Sequence, residues 1–304
     1  MPAAARRAGT WALLRLARPH FLAGGLLLYA LGAAVARYEG VALDGVLYAA
    51  GQAYVSAVQL MTQFLNEYWD VESDAANANR TWFSGGSGAA QAVAAGLLDR
   101  RIALRAALVC LGGALLAAIV LGPRLTAAAG LVMALALIGA WFYSSPPLRL
   151  AGSGFGELTA SLVVALLVPV FAFLLQAGRI SPLVVWTAAP LIALHFAMLL
   201  AFEIPDLAAD EAAGKRTLLV RLGRTRGARA HQAALVAAYA LLAGGVMRGV
   251  PASVAVAALL AAPLAVAQAL TSGATVRYGR LTFGAVALFA LTSGLLAITY
   301  GRLG

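Results

Sequence analysis

Eight of the twelve acidic residues in this 304-residue chain fall in two short segments. Glu67, Asp70, Glu72 and Asp74 form the first, and Glu203, Asp206, Asp210 and Glu211 the second. In the stretch NEYWDVESD at 66–74, Asn66, Asp70 and Asp74 recur every four residues, which puts three oxygen-bearing side chains on one helical face. Asp206 and Asp210 repeat the spacing. Like charges at i and i+4 repel, so each row calls for something cationic beside it. Oxygen ligands without Cys or His partners suit Mg²⁺, which keeps several waters and bridges a few carboxylates to substrate phosphates. Two such rows facing each other would clamp a diphosphate. One DxxxD row by itself is also what a hydrated helix end offsetting nearby arginines looks like; two in matching positions favour the functional reading.

Groups able to hold phosphate follow each row. Arg80 precedes Phe83-Ser-Gly-Gly-Ser-Gly88, whose glycines let backbone N–H groups approach an anion, although an ordinary turn has the same composition. After the second row comes Gly214-Lys-Arg-Thr-Leu218, containing Lys215, the only lysine of the chain, and Arg216. Both cations also suit anchoring at a membrane face, and their placement beside the acids favours phosphate contact.

The elements that must position these side chains are membrane helices. The chain is 62% hydrophobic and 11% charged with a mean hydropathy of +0.87, which excludes a soluble globule. Nine apolar segments of spanning length are expected near 21–38, 46–65, 102–121, 125–143, 157–176, 182–203, 232–248, 252–271 and 281–300. None has the period-two alternation of barrel strands, so the fold class is all-α, a nine-helix multi-pass bundle in a single domain spanning 1–304. Ala34-Val35-Ala36 has the spacing of a signal-peptide cleavage site, but eight later spans need no cleaved leader. With residues 1–20 as a cytoplasmic N-terminal segment, only Arg37, Arg124, Arg179, Arg248 and Arg302 of the 22 basic residues fall on the far side. That bias places a multi-pass protein in the cell (inner) membrane with both acidic segments, and hence the active-site loops, cytoplasmic. The net charge of +10 is scattered singly between apolar runs, which is not the footprint of a nucleic-acid binder. Cys110, alone in an apolar run, offers neither a disulfide nor a cysteine metal site.

These segments resemble the UbiA-type superfamily of intramembrane prenyltransferases, whose nine-helix bundles carry an Asn/Asp-rich row after the second helix and DxxxD followed by a Gly-Lys-Thr-Leu-like stretch after the sixth. The likeness extends over nearly the whole chain: Arg18-Pro19, NEYWDVESD, RTWFSGGSG at 80–88, YSSPPLRL at 143–150 and EIPDLAADEAAGKRTLLVRLG at 203–223. The wording is most like 1,4-dihydroxy-2-naphthoate polyprenyltransferases of menaquinone-type biosynthesis. Three positions depart from the pattern: Glu67 stands for an Asp, Phe202 for an Asn, and Arg149 lies near the place of a loop Lys.

The resemblance implies Mg²⁺-dependent transfer of a polyprenyl group from an allylic diphosphate to an aromatic small-molecule acceptor, within membrane lipid and without nucleic acid. Asn66, Asp70, Asp74, Asp206 and Asp210 would hold two Mg²⁺ ions, with Arg80, Lys215, Arg216 and Arg149 on the diphosphate. Tyr68, Tyr143, His195 and Glu203 are candidates for the acceptor and cation pocket. His195 lies about 12 Å along a helix from Glu203, within reach of an acceptor hydroxyl, and Tyr68, Trp69 and Tyr143 offer ring faces to a cation, although each also has a structural role open to it. No side chain stands out as the base. The alternatives are the same fold with a glycerol phosphate lipid or tetrapyrrole acceptor, and an ion-coupled transporter, whose acids belong nearer the membrane midplane.

Overall fold

The computed structural model describes residues 21–77, 93, 99–272 and 278–304, and every regular element among them is helical. The elements are α1 Leu22–Tyr38, α2 Gly45–Trp69, α3 Val71–Ala76, α4 Arg101–Leu121, α5 Ala127–Ser144, α6 Gly156–Leu162, α7 Val168–Ala177, α8 Pro182–Ala212, α9 Leu218–Val246, α10 Ala252–Leu259, α11 Ala262–Thr271 and α12 Tyr278–Leu303. Each of the nine apolar segments lies on helix. By length and composition, five uninterrupted stretches among the described residues are apolar enough to cross a membrane, or six with the bent pair α10–α11. Large side chains face outward along them, among them Val109 of α4, Leu131 of α5, Leu270 of α11 and Ile298 of α12. A surface of that kind is stable in lipid, and the protein is an integral membrane protein.

Three expected spans are less regular than their sequences suggest. Between α6 and α7 the chain forms a π-helical turn at Val163–Leu167, just ahead of Pro169, which has no N–H for a helical bond. The segment at 252–271 bends by 46° between α10 and α11, where Pro263 likewise cannot donate into the preceding turn. The segment at 232–248 belongs to a longer helix that starts at Leu218 and is broken at Gly223, whose φ of 73° is left-handed. α2 carries Gln52, Gln59, Gln63, Asn66 and Glu67.

α1 lies between α7 and α12 and also touches α2; α2 packs on α4 and α5; α8 packs on α9, α12 and the α6–α7 segment. Tyr29, Tyr300, Phe173 and Met61 are fully buried among these helices. At the end remote from the acidic segments the connections are tied by Arg124 to Asp44 at 2.8 Å and by Arg179 to Glu39 at 2.6 Å. Asp44 also accepts the Val46 and Leu47 N–H bonds as the N-cap of α2, and these bonds lower its carboxyl pKa. The opposite ends of α2, α5 and α8 are thereby left to build the site.

α1 approaches α7 closely at Gly32, where a Cβ would sit 2.0 Å from the Pro169 carbonyl oxygen and 2.8 Å from the Ala172 Cβ. Gly32→Ala must push α1 away from α7 and is expected to cost roughly 1–3 kcal/mol, seen as a lower melting temperature in detergent. Gly294→Ala, with nothing within 4 Å of its Cβ, is the control that should not destabilise. An unchanged melting temperature for Gly32→Ala would contradict this packing.

Candidate active site

The first acidic row forms where α2 passes into α3. The backbone bends at Asp70, with φ −99° and ψ 3°, yet Asp70 N–H donates to Asn66 O at 2.9 Å and Asp74 N–H to Asp70 O at 2.8 Å. The four-residue register therefore survives the bend, and Asn66, Asp70 and Asp74 stay in line. Asn66 Nδ2 donates to Asp70 Oδ2 at 3.0 Å and to Ser144 Oγ of α5 at 3.3 Å. Three residues beyond Asp74, buried Asn77 donates from Nδ2 to Asp206 Oδ1 at 2.8 Å. The sequence reading missed Asn77, although its i+3 spacing from Asp74 continues the polar face.

The second row ends α8, and the way that helix stops explains the residues after it. Gly214, with φ 72°, donates its N–H to Glu211 O at 3.1 Å, and Lys215 N–H donates to Asp210 O at 2.9 Å. That pair of bonds is a Schellman motif, which requires a residue such as glycine in the left-handed region and turns the next residue back over the helix end. Lys215 is that next residue. Its Nζ lies 3.4 Å from Asp70 Oδ2, 3.8 Å from Asp74 Oδ1 and 3.5 Å from Asp210 Oδ1. Burial works against its charge, but Asp70, Asp74 and Asp210 outweigh burial and hold its pKa above that of an ordinary lysine. Two segments far apart in sequence thus converge on one ammonium group, and Asn77 ties Asp206 to the same cluster. Among the described residues, no three His, Cys, Asp or Glu side chains stand at metal-holding distance of one another. Asp70, Asp74 and Asp210 are gathered around Lys215, the lysine expected from the sequence to contact phosphate.

The loop carrying Lys215 is held by α9. Thr217 caps α9, its Oγ1 accepting from Val220 N–H at 3.3 Å, while Glu157 Oε1 accepts from Leu218 N–H at 2.8 Å and Glu203 Oε2 from Leu219 N–H at 3.3 Å. Three N–H groups that a helix start leaves without partners are satisfied. Glu203 is therefore engaged at a helix N-terminus. The loop after α5 is laced to the same turn: Arg216 N–H donates to Gly152 O at 2.9 Å, and Arg221 donates to Ser153 O and to Arg216 O. The Arg149 guanidinium lies 5.1 Å from the centre of the Trp69 ring, and Trp69 Nε1 donates to Ser145 Oγ at 3.1 Å.

Two cavities meet at Tyr143. A polar mouth of about 640 Å³ is lined by Asp70, Glu72, Ser73, Arg149 and Lys215 along with Tyr143. Beneath it an apolar chamber of about 320 Å³ is lined by Asn66, Tyr143, His195 and Phe202 together with residues of α1, α2, α5, the π turn and α12. Of the expected pocket residues, Tyr143 and His195 line the chamber, while Tyr68 and Glu203 line neither cavity. Tyr68 packs edge-on against Trp69 at 4.9 Å and is covered by Arg100 at 5.5 Å. The Arg216 side chain is exposed and lines neither cavity. Phe202 stands edge-to-face on Phe21 at 6.2 Å. His231, at the start of an expected span, is buried, and its Nδ1 contacts Ala197 O at 2.8 Å. Arg80, the glycine-rich stretch 83–88 and Arg18-Pro19 lie outside the described residues.

Comparison with known proteins agrees with this architecture. The UbiA prenyltransferase family model matches residues 25–283. A 1,4-dihydroxy-2-naphthoate octaprenyltransferase of Bacillus subtilis (strain 168) is 28% identical over 241 residues, which cover 78% of this chain and 74% of that protein. A UbiA homolog from Archaeoglobus fulgidus, solved bound to GPP and Mg²⁺, superposes with a TM-score of 0.69 at 17% identity over 96% of this chain and 99% of its own. The apo structure of a UbiA homolog from Aeropyrum pernix K1 gives 0.70 at 17% identity over 92% and 96%.

Removing the Lys215 ammonium group is informative. Lys215→Met takes away the cation that Asp70, Asp74 and Asp210 share, and the metal-free protein is expected to lose roughly 1–3 kcal/mol. Melting in detergent with a chelator should show the loss, and added Mg²⁺ should recover more stability in the variant than in the original protein. Equal melting temperatures under chelation would contradict the assigned role.

Proposed function

This chain belongs to the UbiA prenyltransferase family, and from that premise we propose that it transfers a polyprenyl group from an allylic diphosphate to 1,4-dihydroxy-2-naphthoate or a related quinone precursor. The observation that carries the reading is the convergence of Asp70, Asp74 and Asp210 on one cation, with Asn77 joining Asp206 to the cluster. The donor set consists of carboxylate and amide oxygens, with no Cys or His side chain in it, which fits Mg²⁺. Asn66, Asp70, Asp74, Asp206 and Asp210 would hold two such ions, and bound Mg²⁺ would supply the charge that makes diphosphate a good leaving group. The Mg²⁺ and GPP bound to the Archaeoglobus homolog support the metal and the donor class, and the name of the Bacillus relative supports the acceptor.

In this assignment the residues divide the work by cavity. Arg149 and Lys215 line the mouth and would receive the negative charge that grows on the departing diphosphate, with Arg80 and Arg216 nearby in sequence as further cations. The apolar chamber would keep water from the allylic carbon, which would otherwise be captured as an alcohol. Tyr143, common to both cavities, is placed to turn its ring toward that carbon as positive charge develops. The acceptor's ring carbon forms the new bond, the C–O bond to diphosphate breaks, and the ring loses a proton or carbon dioxide. The account includes nine membrane crossings in a single domain over 1–304, in the cell (inner) membrane, with the mouth facing the cytoplasm.

Purified membranes should join geranyl diphosphate to 1,4-dihydroxy-2-naphthoate only when Mg²⁺ is present, with the product identified by mass spectrometry. Asp70→Ala and Asp206→Ala should each lower turnover by at least about 100-fold. Transfer that survives both substitutions, or that is indifferent to chelator, would refute the assignment.

A further inference from the structure

An isoprenoid chain has no polar atoms, yet one wall of the apolar chamber is polar. On α2, Gln59, Thr62, Gln63 and Asn66 all line the chamber, and spacings of three and four residues put them on one helical face. Gln59 Nε2 donates to Phe21 O at 2.7 Å, and its Oε1 is buried with no hydrogen-bond partner among the described residues. A buried amide oxygen such as Gln59 Oε1 is costly unless something that enters the chamber pairs with it.

On α8, the chamber is lined by His195, whose hydrogen position follows from its neighbours. Ser161 Oγ lies 2.6 Å from Glu157 O, a carbonyl that can only accept, so the single hydroxyl hydrogen is spent there. The 3.1 Å contact between Ser161 Oγ and His195 Nδ1 must then carry the Nδ1 hydrogen toward the serine. A neutral imidazole has one N–H, and Nε2 is left with a lone pair. Phe289 holds the ring plane edge-to-face at 5.2 Å.

We propose that this part of the chamber is the acceptor site, where His195 Nε2 accepts a hydrogen bond from a ring hydroxyl and the amide face of α2 holds the acceptor's other polar groups. The proposal rests on the prenyl-transfer reading and assigns the acceptor a place within it. A hydroxyl donating to Nε2 raises the electron density of its ring. The activated ring carbon bonds to the allylic carbon while the C–O electron pair leaves with diphosphate. The proton or carbon dioxide displaced comes from the attacked carbon, so His195 ends the cycle neutral. Ser161 is a positioning residue, since it acts by fixing which imidazole nitrogen is free.

The test uses the full chain in detergent, with geranyl diphosphate and 1,4-dihydroxy-2-naphthoate. His195→Ala should raise the acceptor KM about tenfold, the scale of one lost hydrogen bond, and leave the geranyl diphosphate KM within about twofold. Ser161→Ala removes only a hydroxyl and should raise the acceptor KM by a smaller factor in the same direction. Calorimetric titration of the donor-free protein with 1,4-dihydroxy-2-naphthoate should show the same order of weakening without relying on turnover. An acceptor affinity unchanged in both variants, or equal rises in both KM values, would overturn the proposal. No transfer by the unsubstituted protein despite normal acceptor binding would instead overturn the reading of function.

Discussion

Carboxylates gathered at the edge of a low-dielectric medium demand a positive partner, and this requirement organises the site end of the molecule. Repulsion between Asp70, Asp74 and Asp210 would push α2, α3 and α8 apart if no cation stood among them. Lys215 meets the demand at 3.4–3.8 Å from all three. A tethered ammonium and a divalent ion satisfy the same oxygens, so the arrangement is stable without substrate and compatible with Mg²⁺ and diphosphate. The lysine's position in turn depends on Gly214, because only the left-handed turn of the Schellman motif brings the chain back over Asp210.

The rest of the architecture isolates that charge cluster from the apolar interior while keeping the two in contact. Loops that would otherwise be loose at the membrane face are fixed by backbone bonds from the α5 loop to the α8–α9 turn, and by buried Glu157 and half-buried Glu203 at the start of α9. Below them, the π turn ahead of Pro169 and the polar face of α2 both border the chamber. Tyr143 lines both the mouth and the chamber.

Much of this was legible in the sequence because its signals are periodic or compositional. Each apolar length lies on helix among the described residues, although α9 starts at Leu218, well ahead of the apolar run at 232–248, and the i, i+4 spacing of Asn66, Asp70 and Asp74 foretold a shared face that survives the bend at Asp70. What was not legible depends on three-dimensional partners. Glu203 reads as a pocket carboxylate, but its partner is the Leu219 N–H across a turn. That Lys215 reaches Asp70 and Asp74 as well as Asp210 depends on the helix stop at Gly214, which the residue types alone do not disclose. Asn77 is an ordinary asparagine until Asp206 comes within 2.8 Å of it. Tyr68 and Trp69 pack edge-on against each other yet meet different cations, Arg100 over the first and Arg149 over the second. The breaks before Pro169 and Pro263 are the reverse case, each with a local cause in the sequence, a residue with no N–H to donate.

The sharing of one diphosphate by two acidic rows is the central claim, and it can be observed directly. Anomalous scattering from Mn²⁺ in crystals grown with a non-hydrolysable geranyl thiolodiphosphate would locate the metals. The account predicts peaks at about 2.1–2.2 Å from an oxygen of Asp70 or Asp74 and from an oxygen of Asp206 or Asp210, with the diphosphate between them. Metal confined to one row, or a diphosphate seated away from both, would contradict it.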